Sequence, residues 1–145
     1  MNTRIVLVCF IGILTAAWAW DALYVAPMAG ALPWLLRQNA LYLTGLWSIG
    51  LMSLIMLLAT RPAWLERPLG GMDKIYHLHK WGGILAIGFA GAHWLIDMTG
   101  DPIKETFGTS GRPAKEAAIW FLQPLRSEAK DLGEFAIYLL HALLV

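Results

Sequence analysis

Residues 73–97, DKIYHLHKWGGILAIGFAGAHWLID, decide how this chain is read. The stretch has the length of a membrane-spanning helix and carries two histidines, His79 and His93, fourteen positions apart. On an α-helix that spacing is four turns less about 40°, so both imidazoles leave one face, separated by about 21 Å of rise. A bilayer core is about 30 Å thick, which puts one histidine near each leaflet. Ionisable side chains at such depths are costly and mark functional sites by default. Two of them, aligned on one face at that separation, are the arrangement expected of ligands for two haems stacked across the membrane.

Between the histidines, the positions sharing their face are Gly82, Gly83, Ala86 and Ala90, all small. A flat macrocycle lying along a helix needs such a trench. A close helix–helix contact uses the same residues, because small side chains let backbones approach. The histidine at each end of the stripe favours the trench. His77 lies sixteen residues before His93, about 160° around the helix, and cannot share that face. Its expected place is the interface, near Lys74 and Lys80. Lys80 is expected either to pair with a haem propionate or to snorkel to the headgroups. Asp97 falls on the His93 face one turn later, where it ends the span at water, orients a ligand or contacts an electron acceptor.

The run MDKIYHLHKWGGILAIGFAGAHWL resembles the third transmembrane helix of the ferric reductase-like transmembrane domain family. That family includes ferric-chelate reductases, NADPH oxidases and bacterial flavocytochromes. Its pattern is a basic or polar run, then L-H-[KR]-W-x-G, then a second histidine fourteen residues on. The preceding GLMSLIMLLATRPAWLERPLGGMDK resembles the second helix and short loop of the bacterial members. The likeness is close over residues 41–95 and loose elsewhere. It implies two b-type haems, each taking one ligand from this helix and one from a later one, with His79 on the inner haem and His93 on the outer. Where the family often has arginine, this chain has His77. The resemblance also implies further helices and, in a domain beyond this sequence, FAD and NAD(P)H.

Composition agrees with a membrane protein. Of 145 residues, 58% are apolar and only 14% charged, with eight tryptophans; soluble domains are about a quarter charged. A net charge of +1 offers no surface for nucleic acid. The single cysteine, Cys9, excludes an internal disulfide and is expected to be a buried thiol.

The predicted fold is an all-α membrane protein, an antiparallel transmembrane helix bundle of three full spans and a truncated fourth. The spans fall at about 5–25, 40–59, 73–97 and, incomplete, 133–145, with an outer loop at 98–132. The first run competes with a signal peptide, since Ala17-Trp18-Ala19 resembles a cleavage site; the resemblance favours a retained helix. Residues 26–38, with Pro27, Gly30 and Pro33, read as a loop. Residues 40–59 are twenty positions without a charge, and Gly45, Ser48 and Gly50 offer a packing face. Asp73 is the expected N-cap of the central helix.

Arg61, Arg67, Lys74 and Lys80 cluster around the short loop, while the five basic residues of 98–132 are diluted over a longer one. Basic residues in short loops face the cytoplasm, so the N-terminus and His79 are cytoplasmic and His93 lies outside. The expected location is a bacterial inner membrane. Residues 113–130 suit an amphipathic segment on the outer face. A lid over the outer haem is the other use of that loop. The fourth span supplies only about 18 Å of helix from Glu134, so the chain reads as a fragment. His141 within it is expected to be a packed histidine, with haem ligation the minority option.

The leading function is a transmembrane electron conduit between a cytoplasmic flavin and an outer acceptor. A quinone-linked cytochrome b subunit is the nearest alternative, matching L-H-K-W-G less well. A haem-free transporter or assembly protein is the alternative from another class; there the histidines relay protons or pack.

Overall fold

The computed structural model describes residues 3–25, 30–61 and 63–112, and further on 131–133, 135, 136, 138, 139 and 142. All regular structure among them is helical. The chain divides into two units, Met1–Pro113 and Ala114–Val145. The described residues of the second unit are helical and exposed. The amphipathic segment expected at 113–130 and His141 lie outside the described residues.

In the first unit, α1 (Thr3–Trp20) runs on through a π-helical turn, Asp21–Val25, so Asp21 interrupts nothing. Trp20 and Tyr24 stack across that turn with centroids 4.8 Å apart. Cys9 is exposed on α1 rather than buried, because the apolar surroundings of this helix lie outside the packed helices as well as between them.

Helix α2 (Leu32–Ala59) starts eight residues earlier than composition suggested. Pro33 sits at its second position, where a missing N–H costs nothing and the fixed φ favours helix. The sequence reads as a loop there because proline breaks a helix everywhere but in its first turn. Thr60 ends the helix, its hydroxyl donating to Leu57 O at 2.8 Å. A short α3 (Ala63–Leu69) follows, then Gly70 and Gly71 at φ +87° and +103° turn the chain into α4 (Met72–Met98). Those angles admit glycine readily and other residues only with strain. The N-cap of α4 is therefore Gly71, and Asp73 lies in the first turn, where its charge still favours the helix dipole. Helix α5 (Gly100–Phe107) occupies the start of the expected outer loop.

The core sits between α2 and α4, antiparallel neighbours, with α1 laid against both. Leu51, Leu58 and Leu78 are fully buried, with Leu7, Leu69, Ile75 and Ala86 around them. Glycines set the close approaches. A Cβ on Gly82 would lie 2.8 Å from Ile55 Cγ2, and one on Gly50 2.5 Å from Leu14 Cδ1. Gly45, Ser48 and Gly50 thus do pack against neighbouring helices.

Two described helices are long and apolar enough to cross a membrane, Thr3–Tyr24 and Leu32–Ala59. Helix α4 has the length, at about 40 Å, but His79, Lys80, His93 and four glycines dilute its apolar content. The third expected span therefore rests on length, since the residues that make α4 interesting also make it less apolar.

The N-terminal end of α2 is latched to the segment after α5. Ala31 N–H donates to Gly111 O at 2.8 Å, and Trp34 Nε1–H to Gly108 O at 3.2 Å. Arg112 lies over the Trp34 ring at 5.1 Å. Trp34 is buried.

Candidate functional site

His93 is held against α2. Its Nδ1 lies 3.0 Å from the Leu41 carbonyl oxygen and 3.3 Å from Thr44 Oγ1. A carbonyl only accepts, so Nδ1 carries the proton and donates it. The Thr44 hydroxyl donates to Ala40 O at 2.7 Å, which leaves its oxygen free to accept from the ring as well. This fixes the tautomer. In the neutral ring Nε2 then holds the lone pair and is the nitrogen available to an electrophile. A backbone carbonyl on the far ring nitrogen is the support usually found behind a metal-ligating histidine.

Gly45 lets the ring come this close. A Cβ there would lie 3.3 Å from both His93 Nδ1 and Cε1. One turn before His93, Phe89 meets Trp47 with centroids 4.8 Å apart, and Trp47 Nε1–H donates to Thr15 Oγ1 at 3.0 Å. These contacts tie the wall below His93 to α1.

The polar contacts between α2 and α4 follow one register. Arg37 meets Asp97, Leu41 meets His93, and Ser48 donates from Oγ to Ala86 O at 3.1 Å. Each step of four or seven along α2 is matched by the same step back along α4. Spacings of four and seven are those that return to one helix face.

His79, by contrast, is exposed and has no hydrogen bond among the described residues. Lys80 and His77 are exposed beside it, His77 with its ring edge toward Tyr76 at 6.3 Å. The small-residue stripe divides between two uses. Gly82 and Ala86 are buried beneath Ile55, Leu7 and Ser48, so protein fills the trench expected at these two positions. Packed backbones and a flat ligand demand the same small side chains, and here α2 occupies the groove. Gly83 and Ala90 are half-buried on the flank of that contact.

Sequence reasoning missed Leu41, Thr44, Gly45 and Arg37 as partners of the site. Leu41 acts through its carbonyl, which leaves no trace in residue type. Arg37 stood in the segment read as a loop. Only Thr44-Gly45 carried a signal, a hydroxyl beside a gap on the packing face.

Among the described residues no group of three or more His, Cys, Asp or Glu side chains converges as a metal site. Single imidazoles with a free Nε2 fit a group that brings its own equatorial donors and asks the protein for an axial one. Haem is such a group.

A family model described as "Ferric reductase like transmembrane component" matches residues 44–145, well over half of the chain. The match contains Thr44, Gly45, His79 and His93; Arg37 and Leu41 precede it. No curated protein and no solved structure matches the chain. With its two apolar membrane-capable helices, the chain belongs to the ferric reductase-like transmembrane component family, integral membrane modules for electron transfer.

Proposed function

We propose that this chain is the haem-holding part of a transmembrane oxidoreductase, with His93 ligating a b-type haem on the outer side and His79 one on the cytoplasmic side. The observation that carries the reading is the Nδ1–H bond from His93 to the Leu41 carbonyl, which leaves Nε2 as a free donor. When bound, haem supplies reversible one-electron chemistry.

The chain's own residues do the rest. Leu41 and Thr44 orient the His93 ring, and hydrogen bonding at Nδ1 raises the basicity of Nε2. Gly83 and Ala90 keep the flank between the histidines free of bulk, and Lys80 offers a cation to an inner propionate. The apolar helices block ions and protons, so charge crosses as electrons alone. The donor in this reading is flavin reduced by NAD(P)H in a cytoplasmic domain of the same protein, and the acceptor lies outside. Remaining ligands come from later helices of that protein, and lipid surrounds the bundle. The excess of basic residues around 61–80 supports a cytoplasmic N-terminus in a bacterial inner membrane.

Reduced-minus-oxidised spectra of membranes containing the full-length protein test this. The expected result is two low-spin b-type components, one lost in H93A and the other in H79A. Unchanged haem content in both variants overturns the assignment.

A further inference from the structure

We propose that Arg37 and Asp97 are positioning residues for His93, acting through the register of α2 against α4. The inference rests on the reading of His93 as a ligand, and deepens it. Arg37 Nη2 donates to Asp97 Oδ1 at 3.0 Å and to the Asp97 main-chain oxygen at 2.8 Å. Arg37 precedes Leu41 by one helical turn, and Asp97 follows His93 by one turn. The ion pair is thus the rung next to the imidazole contact, on the same seam.

Three features set this pair apart from an ordinary surface salt bridge. The Arg37 side chain is 90% buried, with 10% relative exposure, against 45% for Asp97. Its Nε is buried without a hydrogen-bond partner among the described residues, a cost accepted in a position that reaches Asp97 twice. A Cβ on Gly100 would lie 3.0 Å from Arg37 Nη2, so the junction of α4 and α5 is open only by a missing side chain. The contact to the Asp97 carbonyl also caps the C-terminal end of α4, where carbonyls lack helical partners and a cation is favoured. The guanidinium therefore grips the backbone of α4 as well as a side chain. Gripping the backbone one turn beyond His93 sets the height of the imidazole against Leu41 and Thr44.

The experiment compares R37A, R37K and wild type in the full-length protein, with H93A and H79A as spectral markers. Two quantities are read: the ring 15N signals of His93, assigned by H93Q, and the retention of each haem component. In R37A the single Nδ1–H tautomer signature is expected to give way to a mixture. Retention of the His93-dependent component is expected to weaken about 10-fold, the scale of losing an outer-shell partner. The His79-dependent component is expected to stay as in wild type, and R37K is expected to recover both signals. An unaltered tautomer signature in R37A overturns the proposal, as does an equal loss of both components. If wild-type membranes hold no haem, the proposed function fails separately. The 15N signals then decide the positioning role alone.

Discussion

The two ends of the α2–α4 pair are built from different materials. The half nearer the N-terminal end of α4, around Leu51, Leu58, Ile75 and Leu78, is apolar, and Gly82 brings the backbones together. The other half is crossed by polar rungs at Arg37–Asp97, Leu41–His93 and Ser48–Ala86. The histidines follow suit: His93 is built into the rungs, while His79 stands exposed outside the apolar half. Apolar packing holds two helices at a distance but tolerates sliding, whereas polar partners in a low-dielectric setting define one register. One end supplies cohesion and the other alignment.

Variants can break or sharpen this contrast. The largest effect is expected from L78A, which empties a fully buried site of the apolar half and costs about 2–5 kcal/mol. Unfolding in mixed micelles measures it, and the His93 ring signals should be unchanged. A shifted His93 signal would show that the halves are not separable. Next is G45A, whose new methyl meets the imidazole; overpacking of this kind costs about 1–3 kcal/mol. Its control is G88A, where a Cβ meets nothing within 4 Å, and the same unfolding assay should find G88A no less stable than wild type.

S48A removes one rung and is expected to cost about 0.6 kcal/mol, the average for hydrogen bonds between membrane helices. A loss several times larger would mean that the rungs supply cohesion too. The smallest effect on stability is expected from H79A, within about 0.5 kcal/mol of wild type, though under the proposed function it removes one haem component. If H79A destabilises as much as H93A, the contrast between an exposed and a built-in histidine falls.

Much of this was legible from residue order, for stated reasons. The helical span of α4 and the packing role of Gly45, Ser48 and Gly50 follow from helical periodicity, whereas the two histidines that periodicity aligns differ in setting, His93 held against α2 and His79 exposed. Three things did not follow. Pro33 reads as a breaker unless its place in the first turn is known, which hid the start of α2 and with it Arg37. Gly82 and Ala86 announce a groove without saying what fills it, and Ile55 does. The hydrogen bond that defines the His93 tautomer goes to a backbone carbonyl, and any residue at position 41 except for its packing would present the same oxygen.

The matched offsets between α2 and α4 have a mechanical consequence. If α4 were to piston by one turn toward its N-terminal end, Asp97 would arrive beside the Leu41 carbonyl, a carboxylate facing another acceptor, and the Arg37–Asp97 pair would break. The depth of His93 along the pair is thereby tied to the rungs on either side of it rather than to the ends of the helices.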